Sequence, residues 1–238
     1  MNIKIKKNNK QRGFTLLELL IVISIIAILS VILVLVLNPA ETLKKSRDAQ
    51  RISDLATLKT AIALYMTDTT SPILDGGTNS LCKTIPSTAR GSGGAFPIWY
   101  SLSSDSPGDT ITDVTLDGST VVTPASQVLA EDLSRTNGDG WIPINFDALA
   151  GGSPISNIPV DPVNTIADIS GVVSTDFVYR YSCAVTPLSF EIDAQLESTA
   201  YTVTDDKRAL DGGNSELYYE TGTNLLILGA GGSAALDF

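Results

Sequence analysis

Three successive patterns of hydrophobic and polar positions divide the chain. Residues 19–37 are apolar at every position except Ser24 and Ser30, so this stretch has no polar stripe. A helix of about 19–24 residues rises by roughly 28–36 Å, which matches the ~30 Å hydrocarbon core of a bilayer. The first pattern therefore predicts a membrane-spanning helix over residues 14–37.

The second pattern follows Asn38-Pro39 and continues to residue 66. Its apolar residues recur mostly at intervals of three or four, which is typical of an amphipathic helix with Pro39 in the first turn. They are Leu43, Ile52, Leu55, Leu58, Ile62 and Tyr65. We expect this face to pack on the globular part, and the charged residues to face water or neighbouring chains. The charged residues are Arg47, Asp48, Arg51, Asp54 and Lys59.

The third pattern, beyond residue 67, is the alternation typical of strands. Residues 177–185 and 188–197 alternate between larger apolar and polar side chains, which predicts two strands with one wet face and a hairpin turn at Thr186-Pro187. A second hairpin is expected from residues 110–116 and 120–123. Further predicted elements are strands at 201–204, 217–220 and 225–228 and a short helix at 124–133.

Together these elements predict an α+β fold. A long N-terminal helix, with a membrane-spanning half and an amphipathic half, packs on an antiparallel β-sheet. The predicted boundaries are a basic leader at 1–13, a transmembrane helix at 14–37, its amphipathic extension at 38–66 and a β-rich globular domain at 67–238.

Composition narrows the chemistry that this domain can perform. The 238 residues are 43% hydrophobic, enough for a packed core, but include no histidine. Without imidazole there is no Ser-His-Asp or Cys-His nucleophile pair and no HExxH zinc site. Paired carboxylates can act in glycoside hydrolysis, but the spacing singles out no pair. We therefore expect a protein that is not an enzyme.

The charge is unevenly distributed along the chain. Five basic residues precede residue 14, whereas the part from Asp68 onward has 22 acidic and six basic residues. An acidic surface repels phosphate backbones, so no nucleic-acid partner is expected.

A specific motif joins the basic leader to the apolar run. It reads Arg12-Gly13-Phe14-Thr15-Leu16-Leu17-Glu18-Leu19-Leu20. The apolar run is longer than the ~7–15 residues of a secretory signal, and its small residue precedes it rather than follows it. The stretch resembles the prepilin cleavage and N-methylation signal of type IV pilins and type II secretion pseudopilins.

The resemblance implies how the chain is processed and assembled. A prepilin peptidase would cut between Gly13 and Phe14, and the new Phe14 amine would be methylated. A carboxylate within a transmembrane segment costs about 2.5–3.5 kcal/mol at the helix centre and less near the interface. In the family, the acid at the position of Glu18 is thought to meet the Phe14 amine of a neighbouring subunit, which would offset this cost. Alternatively, Glu18 reaches the headgroups.

The expected partners and location follow from the same resemblance. The partners are the prepilin peptidase and methyltransferase, copies of the chain or related pilins, an assembly platform with its ATPase, and the membrane. The chain would be a single-pass membrane protein with an extracytoplasmic C-terminal domain, and later part of an extracellular or periplasmic filament. The mature chain, residues 14–238, is somewhat long for a major pseudopilin and so favours a pilus subunit.

Two alternatives to a pilus subunit remain. One is the major pseudopilin of a type II secretion system, which carries the same signal. The other is a membrane-anchored binding module that never polymerises. The loss of filaments, but not of processing, in Glu18→Ala would separate an assembling subunit from such a module.

The globular domain has two further features of interest. Cys82 and Cys183 are the two cysteines of the chain, and in an oxidising location outside the cytoplasm we expect them to form a disulfide; the alternative is two separate buried thiols. The segment from Ile158 to Asn164, with two prolines, resembles a proline-containing loop of major pseudopilins. We expect it to form a rigid loop before the sheet, without a chemical role.

The acidic clusters allow two interpretations, calcium binding or tight turns. Residues 137–140 and 205–216 offer oxygen ligands of the kind calcium prefers, and major pseudopilins often bind calcium in a C-terminal loop. Neither cluster fits the EF-hand pattern, and the same residue types are required by tight turns. We expect no cofactor, with calcium as the alternative.

Overall fold

The computed structural model describes residues 14–84, 98–103, 111–113, 120–122, 128–164 and 176–228. The chain divides into two compact units, Met1–Leu43 and Lys44–Phe238.

Two helices occupy the first part of the described chain. Helix α1 spans Leu16–Leu37, and the following residue, Asn38, adopts a left-handed conformation with φ of 38°. Helix α2 spans Pro39–Asp68 and begins with a proline, whose missing N–H costs nothing in the first turn of a helix. The predicted amphipathic helix is therefore present and extends two residues beyond its predicted end.

A five-stranded sheet forms the centre of the second unit. Its strands are β1 at Lys83–Thr84, β2 at Trp99–Tyr100, β5 at Tyr179–Val185, β6 at Ser189–Gln195 and β7 at Tyr218–Gly222. The two remaining strands, β3 at Ile111–Asp113 and β4 at Thr120–Val122, form a separate antiparallel pair. Strands β5, β6 and β7 are antiparallel neighbours. Strands β1 and β2 both pair with the other edge of β5, β2 antiparallel and β1 parallel.

The predicted α+β class and the hairpin of β5 and β6 are confirmed, and β3 and β4 pair as predicted, although the predicted turn between them at residues 117–119 lies outside the described residues. Some local predictions are wrong. Residues 201–204 lie in a π-helix, Ala200–Thr204, although their β-branched composition favoured a strand. Residues 225–228 form turns, and two of their N–H groups bind a carboxylate of β6. Of the predicted helix at 124–133, residues 124–127 lie outside the described residues and the remainder is a bridge followed by turns.

One face of the sheet packs on α2. The buried side of α2 carries Leu55, Leu58, Ala61, Ile62 and Tyr65, which belong to one hydrophobic core together with alternate residues of the two central strands. The sheet residues in this core include Tyr179, Tyr181, Cys183, Phe190, Ile192 and Ala194. Leu43, which the helical pattern placed on the apolar face, is instead 60% exposed.

The opposite face of the sheet, here called the back face, is polar and also buried. Alternation and strand register place Arg180, Ser182, Glu191, Asp193 and Glu220 on it. All five side chains are at most 1% exposed. The prediction of one wet face for β5 and β6 is therefore wrong, because the chain on either side of β7 contacts this face: Ser215 donates to Glu220, and Ile227 and Leu228 donate to Glu191.

Candidate functional site

Helix α1 begins with a capping box at the predicted processing motif. The backbone N–H and the hydroxyl of Thr15 donate to Glu18 Oε2, at 2.8 and 2.9 Å. In return, the Glu18 N–H donates to Thr15 Oγ1 at 3.2 Å. These bonds satisfy N–H groups that the first turn of a helix leaves without intrahelical acceptors. The Glu18 carboxylate is thereby held at the start of α1, close to Phe14.

The rest of α1 presents an apolar surface without a partner in the described residues. The large hydrophobic side chains that the structure describes on α1 are exposed, and the two hydroxyls that interrupt the surface bond to their own helix. Ser24 donates to Leu20 O at 2.8 Å and Ser30 to Ile26 O at 2.7 Å. A helix whose backbone and hydroxyl groups are satisfied internally is suited to a hydrocarbon environment. By length and composition, α1 is a candidate membrane span.

The sequence-predicted site residues have different positions relative to this surface. Phe14 is 86% exposed, immediately before the capping box. Glu18 is exposed in the first turn and is the only charged residue between positions 14 and 37. Gly13, the residue before the predicted cut, lies outside the described residues. The structure thus brings Phe14 and Glu18 to one end of an otherwise uncharged helix.

The N-terminal half of α2 is held by a buried ion network that the helical pattern did not predict. Asp48 and Arg51 are fully buried, whereas the sequence led us to expect them in water or against neighbouring chains. Arg51 donates from Nε and Nη2 to the Asp161 carboxylate, at 2.6 and 3.0 Å, and from Nη1 to Asp48 Oδ1 at 2.7 Å. The guanidinium also lies over the Phe177 ring, 4.6 Å from its centroid. That expectation is therefore wrong for both residues.

The same network fixes the chain that follows β6. Arg47 and Arg51 both donate to Glu197, at 2.6 to 2.9 Å. The backbone N–H groups of Glu197 and Ser198 donate to the Asp48 carboxylate. Burial alone would raise the pKa of Glu197, but the hydrogen bonds from the two arginines outweigh it and the pKa is lowered. All the carboxylates of the network therefore have donors, which is the condition for a buried ion pair to be tolerated.

The sequence offered a partial signal for this network. The i,i+3 spacing of Asp48 and Arg51 is visible, and Asp161 lies in the proline-containing segment that we identified as structural. The pairing of Arg51 with Asp161 joins residues 110 positions apart, which no local pattern shows.

Cys82 and Cys183 are joined in the structure by a disulfide with a Cα–Cα distance of 4.7 Å. Cys183 lies on the α2-facing side of β5, and both residues belong to the hydrophobic core. The bond connects the chain next to β1 to the central hairpin across 101 positions.

The acidic clusters are engaged in contacts typical of turns. The Asp139 carboxylate accepts from Asn137 Nδ2 at 2.7 Å. In the second cluster, Asp205 pairs with Lys207 and Asp206 with Arg208, at 2.6 and 2.9 Å. Over the ranges that the structure describes, no three acidic or cysteine side chains converge in a way that could hold a metal ion.

These features define a class: an α+β protein with an apolar helix that is a candidate membrane anchor, capped by a single acid. Residues 8–34 match the family model described as the prokaryotic N-terminal methylation motif, the signature of type IV pilins and pseudopilins. This match supports a precursor that is like type IV pilins and pseudopilins, and it describes a structural motif rather than an enzyme. The motif implies processing by prepilin peptidase and assembly with pilin machinery. Comparison with curated proteins and with solved structures found no match.

Proposed function

We propose that the chain is a structural subunit that is processed after Gly13, methylated at Phe14 and assembled through its N-terminal helix into a pilus. The observation that carries the proposal is the coincidence of the methylation motif at residues 8–34 with an exposed apolar helix whose one charge is Glu18. Hydrolysis of the Gly13–Phe14 amide bond removes the basic leader and leaves an amine on Phe14. A methyl donor then supplies the methyl group, and the amine loses a proton.

The capping box prepares Glu18 for the role of an assembly residue. The bonds from Thr15 hold the carboxylate at the start of α1 and occupy one of its two oxygens. A carboxylate has about four lone-pair sites, so Glu18 keeps capacity for a further donor. The Phe14 amine of a neighbouring subunit supplies that donor, and the ion pair offsets the cost of a carboxylate among apolar helices.

Assembly exchanges lipid for the helices of other subunits around α1. Because the backbone and serine hydroxyl bonds of α1 are internal, this exchange breaks none of them. The acidic globular domains would lie outside the helix bundle, on the extracytoplasmic side. The assembly platform and its ATPase would supply the work of extraction from the bilayer.

Processing and assembly are tested by different measurements. Mass spectrometry of the purified native protein should show a chain that starts at Phe14 with one added methyl group. A start at Met1, or a cut beyond residue 37, would overturn the proposal.

Assembly is tested by Glu18→Ala in cells that carry the complete machinery. The variant should be cut normally but should lose most of its filaments, whereas the control Glu131→Ala, at an exposed acid of the second unit, should assemble like the unchanged chain. Normal filaments from Glu18→Ala would contradict the assembly role and favour an anchored module. If purified filaments are confined to an envelope-spanning secretion complex, the subunit is a pseudopilin instead.

A further inference from the structure

The back face of the sheet contains two acidic residues that belong neither to α1 nor to the ion network around Arg51. Glu191 lies on β6 opposite Gly222 of β7, and Glu220 lies on β7 opposite Asp193 of β6. The two glutamates are thus diagonal neighbours on adjacent strands, within reach of each other. Both side chains are buried, at 0% and 1% exposure.

Glu191 holds the chain that follows β7. Its Oε2 accepts the N–H groups of Ile227 and Leu228, at 2.7 and 2.8 Å. Its other oxygen, Oε1, is buried, and no N–H or hydroxyl group of the described residues donates to it. A buried carboxylate oxygen without a hydrogen-bond donor destabilises the fold. The site therefore requires a donor other than the backbone.

Glu220 is held by the chain that precedes β7. Its Oε2 accepts the Ser215 N–H at 2.9 Å, and the Asn214 side-chain amide can donate to Oε1 at 3.3 Å while it donates to Leu225 O at 3.1 Å. Its own N–H donates to Asp211 Oδ2 at 2.7 Å. These partners are neutral donors and one further acid, so they bring no positive charge to the pair.

The charged groups around the pair leave it without a dedicated cation. Arg180 on β5 forms a two-pronged ion pair with Asp193 on β6, and its guanidinium lies 3.7 Å from the centroid of the Tyr218 ring. The other charged side chains that face the pair within the described ranges are Asp193 and Asp211, both acidic. Two adjacent ionised carboxylates in such a place would repel each other and pay a full desolvation cost.

We propose that Glu191 and Glu220 share one proton and form a clasp that holds the chain at Ile227 and Leu228 on the back face, and that the clasp opens when this proton is lost. The hydrogen between the two carboxyl groups fills the missing bond at Glu191 Oε1. It also removes one of two buried negative charges. Glu191 remains the ionised member, and its charge is matched to the two N–H groups that it holds.

The direction of the pH dependence follows from the protonation states. Burial, followed by the hydrogen bond with Glu191 and its charge, raises the pKa of Glu220 to about 10. Burial likewise raises the pKa of Glu191. An exposed Glu has a pKa of about 4.3. At a pH between this value and the raised pKa of Glu220, the closed clasp therefore binds one more proton than the open clasp. Closure is therefore favoured at low pH and weakens as pH rises through this window.

Hydrogen exchange of the full chain in detergent micelles tests the clasp without any substitution. The opening constants of the Ile227 and Leu228 amides, corrected for the intrinsic exchange rate, should rise about tenfold per pH unit between about pH 6 and 9, because opening releases one proton. Opening constants that do not change with pH would overturn the proposal.

Two variants identify the group that carries the proton. In Glu220→Gln the side-chain amide replaces the shared proton as a donor to Glu191, so both amides should stay protected and their opening constants should become independent of pH. The matched control is Glu216→Gln, at an exposed acid four residues earlier, which should keep the tenfold slope. A slope retained in Glu220→Gln would overturn the assignment to this pair.

Discussion

Arg51 and Asp161 are 110 positions apart, and they form a fully buried ion pair in which two guanidinium nitrogens donate to the two carboxylate oxygens at 2.6 and 3.0 Å. This pair links α2 to the proline-containing loop. Through Asp48 and Glu197 it also links α2 to the chain beyond β6. One guanidinium thereby fixes three segments of the second unit.

Arg51→Ala should destabilise the second unit strongly. The substitution leaves Asp48 and Asp161 buried without their cation, and the removal of one partner from a buried pair typically costs about 3–5 kcal/mol. Urea unfolding of the full chain in micelles measures this, with the fluorescence of the buried Trp99 and Trp141 as the signal. Lys59→Ala, at an exposed position of α2, should change the free energy of unfolding by no more than about 0.5 kcal/mol. A loss below about 1 kcal/mol in Arg51→Ala would show that the network contributes little.

Reduction of the Cys82–Cys183 bond should lower the free energy of unfolding by about 2–5 kcal/mol. The bond closes a long loop between the chain next to β1 and the central hairpin, so its loss returns considerable freedom to the unfolded chain. Alkylation of the native protein without reductant, followed by mass spectrometry, should detect no free thiol. The comparison for stability is the Cys82→Ala/Cys183→Ala double variant, which reductant should leave unchanged. Two alkylated cysteines in the untreated protein would contradict the disulfide.

Asp75 should contribute to the loss of stability in acid. Burial acts to raise its pKa, but three backbone N–H groups, those of Leu81, Gly77 and Asn79, donate to the carboxylate and the net pKa is lowered. A group with a lowered folded-state pKa stabilises the fold above its unfolded pKa of about 3.9, and this contribution is lost as pH falls through the folded value.

The test of Asp75 is Asp75→Asn. An amide has one acceptor oxygen, so the variant leaves at least one buried N–H without its bond and should lose about 1–3 kcal/mol at pH 7. Its stability should also fall less steeply than that of the unchanged chain below about pH 5. Asp68→Asn, at the exposed end of α2, should retain the stability at pH 7 and the full acid slope. An unchanged acid slope in Asp75→Asn would rule out this contribution.

Thr15→Ala should loosen the first turn of α1. The variant removes the oxygen that accepts the Glu18 N–H, and loss of an N-cap side chain costs about 0.5–2 kcal/mol. Hydrogen exchange of the Glu18 amide in micelles should accelerate by about tenfold. Thr15→Ser, which keeps the hydroxyl, should exchange like the unchanged chain. Equal protection in Thr15→Ala would mean that the Thr15 hydroxyl does not protect the Glu18 N–H.

The elements that depend on local pattern could be predicted from the sequence. The run from Leu16 to Leu37 is too long and too apolar for any other assignment, and Asn38-Pro39 marks its end. The alternation around Thr186-Pro187 predicted the hairpin of β5 and β6. The parallel pairing of β1 with β5 was not predictable, because it joins a two-residue strand to a partner about 100 positions away.

Burial of the charged residues could not be predicted from the same patterns. Asp48 and Arg51 fall outside the apolar face of α2, and Glu191 and Asp193 alternate with apolar residues in β6, so each pattern predicts exposure. The structure buries all four because other segments supply their partners: residues 161 and 197 for α2, and residues 180, 227 and 228 for β6.

The sequence by itself determined the apolar α1, the motif with Phe14 and Glu18 at its start, and the α+β order of the elements, since these depend on residue type and short-range spacing. Only the tertiary structure decided which carboxylates lie in water and which lie in a dry interior. The physical reason is that a charge is stable inside a protein only beside its donors, and here those donors come from parts of the chain that no local period connects.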